Sequence, residues 1–344
     1  MKIGLVGYQG GGKSTVFELL TGQKPDLAKV QTGQSGIAIV PDERFDKLVE
    51  HYNPKKIVPA KIELLDTPGL NRTQQEGNAQ RLGIIREAAA LVQVIGLFAG
   101  NADPLAEVSA FDDDMILADL QVVSNRVERL KVDVTKPRPD KDALQAELDA
   151  LLPIVKKLDA GESLLDFEFS QDQEKACRSF SLLTTKQRLI VLNTEDSDID
   201  ESLVKKVEEQ GFKAVAAPCG LELEVQSLPE DDRQEFAAEM GLGEPSRDRL
   251  LRAIFEVTDQ ITFYTSGEKE VHAWLLKRGS TVLEAADSIH SDLARGFVRA
   301  EIWAVDDLLR LGSERELKAA GLNHVEGKDY IVQDGDEVFI RSGV

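Results

Sequence analysis

The octapeptide Gly7–Ser14 is the feature of this sequence that most constrains its fold. It fits the pattern G-x-x-x-x-G-K-[ST] and lies between an apolar strand predicted for residues 2–6 and a helix predicted for residues 15–20. A strand, a glycine loop and a helix in this order are the context of a phosphate-binding loop (P-loop). Successive glycine N–H groups can turn toward a phosphate, and the helix N-terminus adds positive potential. The alternatives, a glycine-rich αβ turn or a dinucleotide-binding loop, are disfavoured by the Gly-Lys-Ser ending and by the helix that follows.

The residues of this loop have distinct predicted roles. Lys13 can bridge β- and γ-phosphate oxygens, and the Ser14 hydroxyl can bind Mg²⁺. The other predicted nucleotide-binding residues at this loop are Gly7, Gly10, Gly11, Gly12 and Thr15. The sequence therefore predicts a protein that binds a nucleoside triphosphate together with Mg²⁺.

A second motif, D-x-x-G, follows a predicted strand at residues 61–66. In this motif Asp66 would hold Mg²⁺ through a water molecule, and the N–H of Gly69 would contact the γ-phosphate. The pattern alone is a weak signal, but about fifty residues beyond a Gly-Lys-Ser loop it is a strong one. Leu70 follows, where Ras-like GTPases carry the glutamine that orients the attacking water. Leucine can neither donate nor accept a hydrogen bond, so either another group positions the water or hydrolysis is slow.

Residues 23–36 form a predicted loop at the place of the first switch of P-loop GTPases. A threonine of that switch normally completes the Mg²⁺ shell, and Thr32 and Ser35 are both candidates. The sequence does not choose between them. A short strand at residues 37–40 and a helix that ends near Tyr52 are predicted to follow.

Two later loops are candidates for contact with the base. Asn193 and Asp196 follow a predicted strand at residues 188–192 with the spacing of an N-K-x-D motif, although Thr194 replaces the lysine. An Asx turn after the strand is the alternative explanation of this short pattern. The next strand is predicted for residues 214–219, and Pro218, Cys219 and Gly220 occupy the position where the final base-contacting loop is expected.

Two apolar runs at helical spacing predict an antiparallel α-hairpin, because a helix-breaking segment at residues 135–140 separates them. A self-packing seam is the expected role of this stripe. Its members are Met115, Leu117, Leu120, Val123, Val127 and Leu130 in the first run, and Leu144, Leu148, Leu151, Leu152, Val155 and Leu158 in the second.

The last part of the chain predicts a β-grasp module, with mixed short strands around one helix. The predicted strands are residues 261–265, 272–276, 299–303, 330–332 and 338–341, and the helix is residues 281–290. The complete expectation is an α/β protein. Its P-loop nucleotide-binding domain comprises residues 1–102 and 178–260, the helical insertion residues 103–177, and the β-grasp domain residues 261–344.

Charge and composition exclude some function classes. The net charge of −20 disfavours non-specific nucleic-acid binding by the whole surface. Residues 121–141 carry six cationic and three acidic residues, which leaves either a basic patch or a solvated hairpin tip. Cys177 and Cys219 are far apart, which favours a reducing compartment. No apolar run reaches the ~18 residues of a membrane span, and the first residues are predicted as a core strand, so a cytoplasmic protein without membrane contact is expected.

With these motifs placed, the chain resembles the YchF subfamily of Obg-related P-loop GTPases over nearly its whole length. The stretches that carry the resemblance are MKIGLVG, GKSTVFELLTG, VPDERFDKL, IVPAKIELLDTPGL, EGN, IREA, DPLAEV, LADLQVVSNRVERL, RSFSLLT, FYTSGEKEVHAWLLKRGSTVLEAADSIHSDLARGFVRAEIWAVDDLL and EGKDYIVQDGDEVFIR. The last two are the most specific and resemble a TGS domain. The resemblance implies a Ras-like P-loop domain, a coiled-coil insertion and a TGS domain. It also implies slow hydrolysis of ATP or GTP, association with ribosomes and rRNA, and a protein partner for the TGS domain.

Three departures from the family pattern affect what the resemblance implies. Family loops read G-x-P-N-V-G-K-S, with an asparagine that helps to hold potassium, whereas Gly10 stands there in this chain. The family carries a histidine implicated in hydrolysis before its Asp-Pro pair, but residues 98–104 contain none. The family's base motif is often N-x-x-E and is tied to ATP preference, whereas this chain has Asn193 and Asp196. Potassium dependence, hydrolysis and base preference therefore do not transfer to this chain.

Three functions compete at this level. The first is a nucleotide-switched NTPase associated with translation, and the second is a nucleotide-sensing module with little turnover. The second is favoured by Leu70, Gly10 and the missing histidine. The third, a small-molecule P-loop kinase, is disfavoured by the helical insertion and the D-x-x-G motif. Asp196 favours guanine, while the missing lysine and the family resemblance favour ATP, and the balance leans slightly to GTP.

Overall fold

The computed structural model describes residues 1–29, 31–72, 77–98, 103–198 and 200–343. The chain divides into two compact units. The first comprises Met1–Gly36 and Glu63–Arg247, and the second comprises Ile37–Ile62 and Asp248–Val344. No helix within the described ranges is long and apolar enough to cross a membrane.

The elements alternate between strands and helices through the first unit and become mainly short strands and helices in the second. The strands are β1 (Lys2–Val6), β2 (Gln34–Ile39), β3 (Lys56–Val58), β4 (Lys61–Asp66), β5 (Ala90–Gly96), β6 (Arg188–Asn193), β7 (Lys213–Ala217), β8 (Gln260–Thr265), β9 (Glu270–Lys277), β10 (Phe297–Ala304), β11 (His324–Glu326) and β12 (Asp336–Ser342). The α-helices are α1 (Lys13–Thr21), α2 (Glu43–Tyr52), α3 (Asn78–Ile85), α4 (Pro104–Asp133), α5 (Lys141–Asp159), α6 (Gln171–Cys177), α7 (Glu201–Glu208), α8 (Cys219–Ser227), α9 (Glu230–Glu239), α10 (Ser246–Val257), α11 (Val282–Ile289), α12 (Ser291–Arg295), α13 (Val305–Leu311) and α14 (Glu314–Ala319).

A sheet with the strand order β2-β4-β1-β5-β6-β7 forms the centre of the first unit. The neighbours from β4 to β7 are parallel, with Leu5 opposite Asp66 and Gly96 opposite Asn193. Every residue of β6 is buried, as expected for a parallel strand covered on both faces. Because the carboxyl ends of parallel strands meet at one edge, the loops after β1, β4 and β6 come together there.

The predicted helical hairpin is present as α4 and α5. Its buried seam includes Val123, Val127, Leu130, Leu148, Leu151 and Leu158. The prediction was wrong for Leu117, which is 60% exposed, and for Leu152, which is 43% exposed. Met115 packs instead with the core around Leu70 in the first unit. The apolar period of α4 is the same along its length, so it cannot show that the part near Met115 packs on the nucleotide-binding core while the part near Leu130 packs on α5.

The cations near the hairpin tip are mostly paired with neighbouring carboxylates. Lys131 pairs with Glu128, Lys136 with Asp133, Arg138 with Asp133 and Asp140, and Arg126 with Glu147. These short-range pairs neutralise much of the local positive charge. They favour a solvated tip over a basic patch.

The second unit has a six-stranded mixed sheet with the order β11-β10-β12-β8-β9-β3. Helix α11 covers one face, and Val282 and Ala285 join the apolar core there. The sheet also recruits β3, since Lys56 pairs in register with Glu270. Helix α2 belongs to this unit as well, because its N-cap Asp42 accepts a hydrogen bond from the Tyr264 hydroxyl. The domain prediction had assigned α2 and β3 to the nucleotide-binding part.

Two strand predictions were wrong in detail. Tyr330–Val332 is not a strand, and Ile331 makes only an isolated bridge to Thr281. The strand predicted to reach Cys219 ends at Ala217, because Cys219 already begins α8. The short strands β3 and β11 were missed, since three residues carry too little pattern to be recognised without their partners.

Candidate nucleotide-binding site

The P-loop has a backbone conformation that only glycine adopts readily. The φ angles of Gly7, Gly10 and Gly12 are 125°, 83° and 88°. A Cβ atom on Gly7 would lie 2.7 Å from the Val94 carbonyl oxygen, so the loop lies directly against β5. Helix α1 begins at Lys13 without a side-chain cap. Its first N–H groups are therefore available to an anion.

Lys13 is a nearly buried cation at the start of this helix. Its side chain is 7% exposed, and Nζ donates a hydrogen bond to the Tyr8 carbonyl oxygen at 2.7 Å. Burial lowers the pKa of Lys13 to about 8, and nearby Asp66 opposes that change. A poorly solvated ammonium group favours a bound anion.

Ser14 and Asp66 form the second feature of the site. The Ser14 hydroxyl donates to Asp66 Oδ2 at 2.7 Å, while Asp66 Oδ1 is buried and has no hydrogen-bond partner. Burial raises the pKa of Asp66, against the effects of Ser14 and Lys13. A hydroxyl beside an unsatisfied carboxylate oxygen fits an oxygen-binding cation such as Mg²⁺.

The described residues hold no group of three or more His, Cys, Asp or Glu side chains that could bind a metal ion by themselves. Further ligands would have to be phosphate oxygens or water, as is usual for Mg²⁺. The predicted ligand Thr32 is exposed, and its N–H donates to the Lys29 carbonyl oxygen at 3.1 Å. Neither Thr32 nor Ser35 lines the cavity around Ser14 and Asp66.

A cavity of about 220 Å³ joins the two motifs. Its lining residues are Gln9, Gly10, Lys13, Ser14, Pro25, Asp26, Lys29, Gln31, Gln34, Asp66, Thr67, Pro68, Gly69 and Arg81. Six of them lie outside the two predicted motifs and were missed by sequence reasoning. Pro25, Asp26, Lys29, Gln31 and Gln34 lie in the predicted first switch, so the loop itself was a signal. Arg81 had no sequence signal, because its place depends on how α3 packs.

The segment after β4 lies directly on the P-loop. A Cβ atom on Gly69 would be 2.7 Å from Lys13 Nζ and 2.8 Å from the Gln9 nitrogen. The Leu70 N–H donates to the Gly7 oxygen, and the Gln9 N–H donates to the Leu70 oxygen, both at 3.0 Å. These contacts put Gly69 beside Lys13.

The Leu70 side chain points away from the cavity. It is fully buried in an apolar cluster with Tyr8, Leu82, Phe111 and Met115. The Tyr8 hydroxyl also donates to Asp114 Oδ2 on α4 at 2.9 Å. Leu70 thus joins the core between the P-loop and α4 and does not face the predicted phosphate position.

Asn193 connects the end of β6 to the P-loop. Its Oδ1 accepts a hydrogen bond from the Cys219 N–H at 3.3 Å, and its Nδ2 donates to the Gly11 oxygen at 3.5 Å. These contacts bring together Asn193, Cys219 and the loop, while their role toward a base stays a prediction. Gly220 lies in the first turn of α8, and Thr15 is a half-buried residue of α1.

Asp196 is exposed, and its Oδ1 accepts a hydrogen bond from the Asp198 N–H at 3.1 Å. This is the Asx turn that was the alternative to a base-specificity motif. The histidine of the family pattern would lie before Asp103, where this chain has none. Residues 99–102 of that segment lie outside the described residues.

Comparison with known proteins agrees with this geometry. A family model described as a 50S ribosome-binding GTPase matches residues 2–126, and the YchF-GTPase_C model, described as a protein of unknown function, matches residues 260–342. The chain is 32% identical to the ribosome-binding ATPase YchF of Bacillus subtilis, with 99% of each chain covered. It is also 32% identical to the YchF protein of Escherichia coli O157:H7, with 97% of each covered.

Solved structures show the same fold. The YchF GTPase of Schizosaccharomyces pombe superposes with a TM-score of 0.81 at 24% identity, over 99% of this chain and 97% of that one. A GTP-binding protein of Pyrococcus horikoshii superposes with a TM-score of 0.62 at 20% identity, over 99% and 100%. With a P-loop domain, a C-terminal TGS-type domain and similarity along its full length, this chain belongs to the YchF family of P-loop GTPases and ATPases.

Proposed function

We propose that this protein binds a purine nucleoside triphosphate with Mg²⁺, hydrolyses it slowly and associates with ribosomes in a nucleotide-dependent way. One observation carries the proposal. Buried Lys13, the Ser14–Asp66 pair with its unsatisfied oxygen, and Gly69 line a single cavity at the start of α1. This is the donor set that P-loop NTPases use for phosphates and Mg²⁺.

In the proposed complex the P-loop residues Gly7, Gly10, Gly11, Gly12 and Thr15 surround the phosphates. Lys13 bridges the β- and γ-phosphates, and the Gly69 N–H contacts the γ-phosphate. Ser14 would bind Mg²⁺ directly and Asp66 would hold it through a water molecule, and the ion would supply positive charge that offsets the charge of the phosphates. Thr32 remains a proposed switch ligand that would have to move to reach the ion.

Hydrolysis would join a water oxygen to the γ-phosphorus and break its bond to the bridging oxygen, with the water proton leaving on the released phosphate. The Leu70 side chain cannot orient that water, since it is buried in the core. Slow turnover is the expected consequence.

Replacement of Lys13 by Ala should abolish triphosphate binding, because the site loses its buried cation. Titration with a fluorescent triphosphate in saturating Mg²⁺ measures the effect. Ser14→Ala is the companion variant and should mainly weaken the Mg²⁺ dependence of binding. Unchanged affinity in Lys13→Ala would remove the basis for this site.

The choice of base is tested by titrating GTP and ATP side by side. The sequence spacing of Asn193 and Asp196 supports guanine, whereas the ATPase names of the relatives and the presence of Thr194 in place of the motif lysine support adenine. We propose GTP, with Asn193, Asp196, Cys219 and Gly220 on the base side. Equal or tighter ATP binding would overturn that choice.

The proposed ribosome association rests on the name of the two bacterial relatives, ribosome-binding ATPase. Co-sedimentation with ribosomes, with a non-hydrolysable triphosphate and without nucleotide, tests it. A protein partner that binds through the TGS domain is part of the same proposal.

A nucleotide-sensing module with negligible turnover is the second candidate, and the buried Leu70 favours it. A single-turnover assay with and without ribosomes separates the two. A rate equal to that of free nucleotide would exclude the enzyme.

A further inference from the structure

Arg81 lines the cavity of the proposed nucleotide site. It is the only arginine among the cavity-lining residues in the described part of the chain, and it shares the cavity with Lys13 and Gly69. Three further charged side chains line the cavity: Lys29 is a cation, and Asp26 and Asp66 are anions. Arg81 comes from α3, the helix that follows the segment proposed to contact the γ-phosphate.

The Arg81 side chain is oriented by a buried asparagine. Its Nη1 donates a hydrogen bond to Asn78 Oδ1 at 3.2 Å, and Asn78 is 6% exposed. Asn78 is itself fixed, because its Oδ1 accepts from the Asn71 N–H at 3.0 Å and its Nδ2 donates to the Asn71 oxygen at 3.1 Å. Asn78 therefore ties α3 to the residue after Leu70 and holds Arg81 from one side.

A guanidinium group suits a phosphate better than an ammonium group does. Its planar set of N–H donors can bind two phosphate oxygens at once. Phosphoryl transfer spreads negative charge over the γ-phosphate oxygens, and an arginine there can accelerate the reaction greatly. Since the Leu70 side chain faces the core, Arg81 is the polar group on the α3 side of the cavity that can act on this charge.

We propose that Arg81 contacts the γ-phosphate of the bound nucleoside triphosphate and stabilises the charge that develops on it during hydrolysis. The proposal rests on the nucleotide binding proposed above. It makes Arg81 a residue that distinguishes triphosphate from diphosphate.

The test compares Arg81→Ala and Arg81→Lys with the wild-type protein. Each is titrated in Mg²⁺ with a non-hydrolysable GTP analogue and with GDP. Arg81→Ala should lose triphosphate affinity on the order of 10- to 100-fold, as for a lost hydrogen bond to a charged group, and keep its GDP affinity. Arg81→Lys should recover part of the loss. Thermal unfolding of each variant verifies its fold.

Arg129→Ala is the matched control, since Arg129 is an exposed arginine of α4 outside the cavity. It removes the same charge and should leave the ratio of the two affinities unchanged. An equal loss for GTP analogue and GDP in Arg81→Ala, or no loss, would refute the contact with the γ-phosphate.

Single-turnover hydrolysis is the second readout, and Arg81→Ala should slow it at saturating nucleotide. The affinity ratio decides the proposal even where the wild-type rate is very low. If the wild-type protein binds no triphosphate, the proposed function fails. If it binds triphosphate and Arg81→Ala keeps the wild-type ratio, only the role of Arg81 fails.

Discussion

At the residue scale, two P-loop glycines share a backbone conformation but not their surroundings. Gly10 has a φ of 83° and Gly12 a φ of 88°. A Cβ atom on Gly10 would meet nothing within 4 Å, whereas one on Gly12 would collide with Asn193 Nδ2. A side chain would strain the backbone at either position. Of the two, only a side chain on Gly12 would also clash with a neighbouring residue.

This pair predicts different outcomes for two alanine substitutions. Gly10→Ala should cost about 1–2 kcal/mol from the left-handed backbone alone. Gly12→Ala should cost more and weaken nucleotide binding, because Asn193 must leave the position from which it joins β6 to the loop. Unfolding curves and nucleotide titration of both variants measure this. Equal effects at the two positions would show that Asn193 is not a constraint.

Glu337 is a buried carboxyl group in the second unit. It is 3% exposed, Ser266 donates a hydrogen bond to its Oε1, and its Oε2 has no partner. Burial raises the pKa of Glu337 to about 7, although the Ser266 hydrogen bond opposes the change. Tyr52 and Glu314 are the other ionisable groups that face it.

This raised pKa predicts a pH-dependent stability. Between the ordinary value of 4.5 and about 7, the folded state holds a proton that the unfolded state has lost, so the free energy of unfolding falls as the pH rises. Glu337→Gln removes this term. Relative to wild type, the variant should gain up to about 3 kcal/mol on going from pH 4.5 to pH 8.

Tryptophan fluorescence is the suitable probe, because both tryptophans, Trp274 and Trp303, lie in the second unit. Urea unfolding at the two pH values gives the difference. The exposed neighbour Glu268 offers a control as Glu268→Gln, which should show no such gain. A pH-independent difference between Glu337→Gln and wild type would contradict the assignment.

At the element scale, Asp119 joins three segments of the first unit. Its carboxylate is fully buried and accepts hydrogen bonds from Arg86 at 2.6 Å and from the Thr184 N–H and hydroxyl at 2.9 and 2.8 Å. Arg86 follows α3, Asp119 lies on α4, and Thr184 lies before β6. These residues belong to the IREA, LADL and RSFSLLT stretches that suggested the family, so part of that resemblance reflects a structural cluster.

Removal of this carboxylate should be strongly destabilising, because the partly buried Arg86 would lose its charged partner and the buried Thr184 N–H and hydroxyl would lose their acceptor. Asp119→Ala should destabilise the first unit by about 3–5 kcal/mol. Hydrogen exchange of β5 and β6 amides measures the loss. Asp113→Ala, an exposed position on the same helix, is the control and should change stability little. A small effect of Asp119→Ala would mean that water replaces the carboxylate.

At the scale of the whole molecule, the chain leaves the first unit after Gly36 and returns at Glu63. The excursion contains α2 and β3, which pack within the second unit. Tyr264 is fully buried with its hydroxyl on Asp42, and Arg44 pairs with Asp334 at 3.0 Å. The excursion directly follows the predicted first switch and ends within β4, the strand that carries Asp66.

A chain that ends at Arg247 tests this organisation. It keeps residues 37–62 but lacks every other segment of the second unit. Hydrogen exchange in α2 and β3 should become fast, since their partners are gone, while β1, β5 and β6 remain protected. Protection of those strands serves as the internal control, and continued protection of α2 would show that it folds without the second unit.

The sequence by itself determined the parts of this protein that depend on local order. The P-loop and D-x-x-G motifs were predicted with their strands and helices, because their chemistry is written in consecutive residues. The long α-hairpin was predicted from its period, and the family from stretches along the whole chain. The domain boundaries and the roles of the site residues remain predictions.

Only the tertiary structure decided what depends on residues distant in sequence. It placed the Leu70 side chain in the core, brought Arg81 to the cavity and transferred residues 37–62 to the second unit. None of these follows from periodicity or motif spacing, because each is set by which surfaces pack together. For the P-loop, sequence established a site suited to phosphate, and packing determined which side chains surround it.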